Sequence, residues 1–478
     1  MYSFKSWVMN SAVVMCVASG TCVAGEQPQT DLIARGKYLS IASDCAACHT
    51  VKGGAEFAGG LAIVSPVGKI FASNITPSNS AGIGLYSEGQ FSSALRKGIR
   101  RDGANLYPAM PYASYSALSD VDIKALYAYF KDGVKAVDTP APKTSLPFPM
   151  NIRMSMKAWN LLFLPGRPMK DDPGQSSEWN RGRYLVEGAA HCAECHTPRG
   201  LLMQKKSGSA MSGGLVGAWY APNITSDPIS GIGIWSNTEL VEYLRTGKLH
   251  GKAQAAGSMA EAVEDSFQYL TDQDLSAIAT YIRRVPAIND EGESNNRFSQ
   301  GKASSETAVF RGVTSSTSLE ETATGAQLFQ GNCASCHLDK AQGTRDGYYP
   351  SLFHNSATGS INANNLVATI LNGVDRTTTK GQVYMPGFGG KPADLNALSD
   401  TQIVSLANYI LSNYGQLSVK VTSEIVATVR QGGPASNLIL WARIGMAGGA
   451  LIVVLLGVWW LRRRSRSRTK GTASFPTS

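Results

Sequence analysis

Apolar positions recur with the same spacing at three places along the chain. Ile123, Leu126, Tyr129 and Phe130 stand at i, i+3, i+6 and i+7, as do Leu275, Ile278, Tyr281 and Ile282, and Ile403, Leu406, Tyr409 and Ile410. This is one face of an amphipathic helix, and the tyrosines read as core positions. A hydroxyl residue precedes each run (Ser119, Thr271, Ser399), with Asp122, Asp274 or Gln402 three residues on, the signature of an N-cap. Upstream of each run is a shorter helical signal that carries a glycine: Arg35-Gly36-Lys37-Tyr38-Leu39, Arg181-Gly182-Arg183-Tyr184-Leu185 and Gly325-Ala326-Gln327-Leu328-Phe329. Glycine inside a helix costs about 1 kcal/mol, so its expected purpose is a close approach between two helices. The pattern predicts one helical unit repeated three times.

Two longer apolar runs lie near the ends. Trp7 to Val17 follows one early charge, Lys5, and precedes the small-residue site Cys22-Val23-Ala24, so residues 1–24 read as a secretory signal peptide. Ile444 to Leu461 holds no charge over 18 residues. At 1.5 Å per residue that is about 27 Å of helix, close to a hydrocarbon core of about 30 Å. Trp441 at one end and Trp459 and Trp460 at the other suit the two interfaces. Residues 438–461 are therefore expected to form a transmembrane anchor.

Composition adds two limits. Hydrophobic content of 43% with 17% charged residues excludes a mainly disordered chain. Of the net charge of +9, one unit is Lys5 and six are Arg462, Arg463, Arg464, Arg466, Arg468 and Lys470, which leaves +2 for the body. A nucleic-acid surface is not implied. The basic tail, 462–478, is instead a topology signal: it belongs in the cytoplasm, with everything before the anchor on the periplasmic side of the inner membrane.

Six of the eight cysteines form three identical strings, Cys45-Ala-Ala-Cys48-His49, Cys192-Ala-Glu-Cys195-His196 and Cys333-Ala-Ser-Cys336-His337; Cys16 and Cys22 fall in the leader. C-x-x-C-H is the attachment signature of c-type haem. Two thioethers pin the macrocycle, and the adjacent imidazole faces the iron as its proximal ligand. A zinc reading needs pairs to meet as four-ligand sites, and three pairs separated by 147 and 141 residues cannot couple evenly. Three covalently bound haem c groups are expected.

Each unit also offers a second axial ligand. Met110 is the only methionine between residues 50 and 149, in Tyr107-Pro108-Ala109-Met110-Pro111-Tyr112, and Met385 is the only one between 338 and 430, in Tyr384-Met385-Pro386-Gly387. A lone methionine in a proline-bearing loop is a poor core residue and a suitable thioether ligand. Unit two offers Met203, Met211 and Met259, with His250 nearby; Met259 lies 63 residues after His196, matching the 61 from His49 to Met110, and is the expected ligand. His191 is too close to Cys192 to reach the same iron. His354 has no counterpart in the other units.

The expected fold class is all-α: three tandem class I cytochrome c domains at 30–137, 178–285 and 318–416, then one C-terminal transmembrane helix. Units one and two share more with each other than with unit three. Asn74-Ile75-Thr76 and Asn223-Ile224-Thr225 are each followed by Gly-Ile-Gly, whereas unit three has Gly347-Tyr348-Tyr349-Pro350-Ser351-Leu352. The duplication explains both Asn-Ile-Thr strings better than glycosylation does. Linker 286–317 reads as polar and mobile. Linker 138–177 holds several prolines and an apolar run from Met154 to Leu164, which reads as packing between domains or as contact with a partner subunit or the membrane surface.

The arrangement resembles the three-haem cytochrome c subunit of bacterial membrane-bound dehydrogenase complexes of the fructose, sorbitol, gluconate and alcohol type. The resemblance runs from Arg35 to about Tyr414. It rests on the three C-x-x-C-H strings, Ser73-Asn74-Ile75-Thr76-Pro77, Leu106 to Tyr112, His191 to Arg199, and the C-terminal anchor, which is closer to the fructose and sorbitol types. It implies a catalytic dehydrogenase subunit carrying flavin (FAD) or pyrroloquinoline quinone (PQQ), a small chaperone-like subunit, and ubiquinone as the electron acceptor. No dinucleotide-binding fingerprint or propeller repeat is evident, so no substrate-oxidising machinery is evident in the chain itself. Two other readings stand beside the relay: a peroxidase-like haem enzyme with one open iron position, and direct donation to a terminal oxidase.

Overall fold

The computed structural model describes residues 28–304, 323–394 and 396–469. The expected signal peptide with Cys16 and Cys22, the second half of linker 286–317 and the end of the basic tail lie outside the described residues.

Each unit is built on one crossed helix pair. In unit one α1 (Gln29–Ala42) packs on α2 (Asp120–Ala128), in unit two α3 (Ser177–Tyr184) on α4 (Asp272–Ile282), and in unit three α5 (Gly325–Asn332) on α6 (Asp400–Tyr414). The hydroxyls of Ser119, Thr271 and Ser399 accept from the backbone N–H of Asp122, Asp274 and Gln402, so all three N-caps form. The glycines sit at the crossings. A Cβ on Gly36 would lie 2.0 Å from the Ala125 carbonyl oxygen, on Gly182 1.9 Å from that of Ala277, and on Gly325 2.4 Å from that of Ser405. The repeated tyrosine, Tyr129, Tyr281 or Tyr409, closes the other side of each contact.

The chain is mainly helical, and among the described residues four two-stranded antiparallel hairpins add to the helices: β1–β2 (Ala62–Ser65, Gly68–Phe71), β3–β4 (Gly214–Val216, Trp219–Ala221), β5–β6 (Lys248–Leu249, Ala253–Gln254) and β7–β8 (Val374–Thr378, Gly381–Met385).

Units one and two share one hydrophobic core, which runs from Leu32 and Ile123 through Leu185 to Ile278, while unit three has its own. The two units meet through a reciprocal exchange. Tyr38 donates to Asp274 at 2.6 Å and Tyr184 donates to Asp122, so equivalent residues of the two copies change places. Each carboxylate is also held by its own unit: Arg35 Nε on Asp122 at 2.7 Å, and Arg181 Nε on Asp274 at 2.8 Å. This is the self-complementary contact of a two-fold dimer, made within a single chain.

Unit three docks mainly on unit two, where Gln268 donates to the Thr377 carbonyl and accepts from the Thr379 N–H, and it reaches unit one through the exposed ion pair of Asp375 with Lys52 at 3.9 Å. Asn365 exchanges hydrogen bonds with the backbone of Tyr220 in β4 at 2.9 and 2.8 Å. The fully buried Arg376 of β7 enters beside β5–β6 and donates to the Ala255 carbonyl and to Gln254 Oε1.

Linker 138–177 and the described half of the other linker, 286–304, are packed rather than loose. In 286–304, Arg297 and Glu293 are buried, Asn223 donates to the Ile288 carbonyl at 2.7 Å, and the Ser304 carbonyl accepts from Tyr414 at 3.0 Å. The expectation of a mobile segment is corrected for this half, because these contacts seat it against units two and three. Linker 138–177 clamps the Met110 loop. Tyr107 donates to the Met150 carbonyl at 2.8 Å, Arg153 Nη1 to the Asn105 carbonyl at 2.8 Å, and Tyr112 to Asn160 Oδ1 at 2.8 Å. The last helix, α7 (Leu438–Thr469), includes the stretch Leu438–Arg464, whose most apolar 18 residues have mean hydropathy 2.2, none of them buried.

Candidate haem sites

The three histidines share one geometry. Cys45–His49 forms one short helix, and Ala193–His196 and Ala334–His337 form the others, with Cys192 and Cys333 at their N-caps. The Nδ1 of His49 lies 2.6 Å from the Ser73 carbonyl, that of His196 2.7 Å from the Pro222 carbonyl, and that of His337 2.8 Å from the Pro350 carbonyl. Burial lowers the pKa of each imidazole. A neutral ring that donates its Nδ1–H to a carbonyl keeps the Nε2 lone pair for a metal. Ser73 and Pro222 stand just before the duplicated Asn-Ile-Thr strings. Sequence reading set these strings aside as a shared loop, and their positional role comes out only in three dimensions. Asn74 and Asn223 are buried, donating to the Val137 and Ile288 carbonyls, so they build the loop and are not glycosylation sites.

The six cysteines are free of disulfides. Among the described residues, no group of three or more His, Cys, Asp or Glu side chains is arranged to hold a bare metal ion. The residues fit haem: each paired thiol lies on the same turn as an imidazole whose Nε2 is free.

The methionines take three different settings. Met110 lies in the loop before Pro111 and packs partly buried against the shared core. Met259 does not lie in a loop but in the first turn of the helix Ser258–Asp265, entered through Gly257 in a left-handed conformation with the Trp219 ring against it. Met385 ends strand β8. The other candidates in unit two have structural work. Met211 is buried in the core at the place Phe57 holds in unit one; both have positive φ, and both carbonyls accept from the isoleucine of Asn-Ile-Thr. Met203 forms a turn, its N–H donating to Gly200. His191 points towards unit one, its ring 5.7 Å from Tyr115. His250 and His354 line a small crevice between units two and three.

The helix Ser258–Asp265 is the junction of the three sites, packing on the Cys45–His49 helix and on β7. Tyr115, buried and bonded to the Ser43 carbonyl at 2.9 Å, stands between the first two motifs. Asp44, in the left-handed conformation just before Cys45, is half-buried; desolvation first, then Asp265 and Glu261, push its carboxyl up to about 7. Glu194, between the second pair of cysteines, is also half-buried. Although burial works against it, Lys205 and Arg199 hold its carboxyl down at about 2, and it accepts from Ser114 of unit one at 2.7 Å. Neither acid was singled out by sequence, because a lone carboxylate beside a cysteine carries no pattern.

Three repeated units of this kind define a c-type cytochrome with three domains. The cytochrome c family model matches residues 33–133, 180–286 and 322–413. The chain is 48% identical over 449 residues to the fructose dehydrogenase cytochrome subunit of Gluconobacter japonicus, covering 91% of this chain and 92% of that one. It is 35% identical over 435 residues to the gluconate 2-dehydrogenase cytochrome c subunit of Pantoea cypripedii (88% and 94%). It is 34% identical over 464 residues to the alcohol dehydrogenase (quinone) cytochrome c subunit of Gluconacetobacter polyoxogenes (94% and 95%). The chain belongs to the family of cytochrome c subunits of bacterial membrane-bound dehydrogenase complexes, and its work is electron transfer.

Proposed function

We propose that this chain relays electrons through three haem c groups from a catalytic dehydrogenase subunit, carrying FAD or PQQ, to ubiquinone in the inner membrane. Cys45 and Cys48, Cys192 and Cys195, and Cys333 and Cys336 supply the thioethers. His49 with Met110, His196 with Met259, and His337 with Met385 would hold the iron of each group. A haem held in this way supplies one-electron chemistry with little change in shape. The chain's part is to fix the ligands: the carbonyls of Ser73, Pro222 and Pro350 orient the imidazoles, and the clamp of Tyr107 and Arg153 on linker 138–177 steadies the Met110 loop. The single anchor α7, followed by arginines, supports a periplasmic position for the units. The 48% identity to a fructose dehydrogenase subunit supports a sugar-oxidising partner.

The observation that carries the relay is contiguity. The helix bearing Met259 touches both the first Cys-His motif and the hairpin that ends in Met385. The test is the absorption and paramagnetic resonance spectra of the ferric protein. Three low-spin haems with methionine-to-iron charge transfer are expected; a high-spin component would favour a peroxidase-like enzyme instead. Reduction of a ubiquinone analogue by the purified complex separates the quinone route from direct donation to an oxidase.

A further inference from the structure

The segment between units one and two carries a surface that electron transfer does not explain. Its helix Ser155–Phe163 has no buried residue. Leu161 is 87% exposed, Leu162 67% and Met154 64%, and Leu201 and Leu202 of unit two are exposed beside them, the Trp159 indole N–H donating to the Leu202 carbonyl at 3.0 Å. Scattered exposed leucines need no explanation, but a contiguous apolar patch does. Two observations say what covers it. First, from 139 to 170 the chain holds Lys143, Arg153, Lys157, Arg167 and Lys170 and no acidic residue. Apolar side chains with a one-signed basic flank suit a lipid surface with anionic headgroups. Second, the patch is continuous with the anchor: Arg443 in the first turns of α7 donates from Nε to the Phe148 carbonyl at 3.0 Å, seven residues before the helix begins.

We propose that the helix Ser155–Phe163, with Leu201 and Leu202, lies in the interface of the bilayer that α7 crosses, its apolar side chains below anionic phospholipid headgroups. The contact gives the haem units a second attachment to the membrane and fixes their tilt. Because Asn160 and Arg153 of the same segment hold Tyr112 and Asn105, the Met110 side of unit one is the side turned to the lipid. The inference rests on the reading of α7 as a span, and the experiment separates the two.

The full chain, loaded with haem and reconstituted in vesicles of phosphatidylethanolamine and phosphatidylglycerol, is spin-labelled at Leu161→Cys, at Leu162→Cys, at Val453→Cys in α7, and at Lys380→Cys on the tip of β7–β8. The native cysteines among the described residues all lie in the three haem motifs, so the new thiol takes the label. Haem content of each variant confirms folding. At 161 and 162 the accessibility to oxygen relative to a water-soluble nickel chelate should rise above that at 380 towards that at 453, and fall back when phosphatidylcholine replaces phosphatidylglycerol. A water-like ratio at 161 and 162 with a lipid-like ratio at 453 overturns the proposal alone. Shielding from both reagents means a protein subunit covers the patch and also overturns it. An unchanged ratio in phosphatidylcholine removes the anionic preference, and a water-like ratio at 453 removes the span and the proposal together.

Discussion

Tyr38 donates its phenol hydrogen to Asp274 at 2.6 Å across the boundary between the first two units, and Tyr184 makes the equivalent bond to Asp122 in return. Asp274 also takes two bonds from Arg181, at 2.8 and 2.7 Å. Loss of the tyrosine therefore leaves the carboxylate paired. Tyr38→Phe is expected to cost about 1 kcal/mol, and Asp274→Ala, which orphans both donors, about 2–3 kcal/mol. Urea unfolding followed at the Soret band reads the difference; equal losses would contradict this order.

The same aspartate gives a pH dependence. Burial tends to raise its pKa, but the hydrogen bonds from Arg181 and Tyr38 outweigh burial and hold it below the ordinary value of 3.8. A depressed value in the folded state means that the unfolded chain takes the proton first. The stabilisation is then whole above 3.8 and is lost as pH falls through the lower, folded value. Melting temperatures of the native chain and Asp274→Asn should differ at neutral pH and converge in acid. A gap that stays constant with pH would tell against it.

Gly182→Ala places a methyl group 1.9 Å from the Ala277 carbonyl oxygen. The helix-propensity gain of about 1 kcal/mol is small beside the overpacking, and a net loss of about 2 kcal/mol is expected. Gly36→Ala and Gly325→Ala should behave alike. A stabilised variant in calorimetry would show that the helices can part at no cost.

Met110→Ala, Met259→Ala and Met385→Ala should each keep three haems but lose about one third of the methionine-to-iron charge-transfer band. Met211→Leu, a volume-conserving change in the core, should leave the band whole and cost under about 1.5 kcal/mol. If Met259→Ala left the band intact, the second unit would have another ligand.

Arg376→Ala removes the fully buried side chain that unit three inserts against Gly247 and β5–β6. The hole and the abandoned Ala255 carbonyl should cost about 3 kcal/mol, with Arg376→Met losing less. Separate unfolding of unit three, detected by calorimetry, is the expected sign of its release from unit two.

The helix pairs and the thiol-imidazole strings were legible in sequence because they rest on local spacing. Gly36, Gly182 and Gly325 showed where helices must touch, and Tyr129, Tyr281 and Tyr409 proved to be what they touch. What escaped needed two distant pieces of chain together. Nothing local says that Tyr38 should seek the cap aspartate of a neighbouring copy in preference to its own. A single arginine in the alternating run of β7 reads as solvent-facing, yet Arg376 is buried because unit two supplies a carbonyl for it. The helix setting of Met259 was hidden for the same reason: only the ring of Trp219 over Gly257 shows why the chain turns there.

The exchange between units one and two leaves two matching poles, one at each copy, and the chain treats them differently. At Gly98 the pole of unit one is filled by its own Tyr112, tied to linker residue Asn160; at Gly247 the pole of unit two is filled by Arg376 from outside. A duplicated pair alone would have no preferred direction for current. Capping one end with a third domain and the other with a connecting arm gives this paired body a polarity, and with it a front and a back.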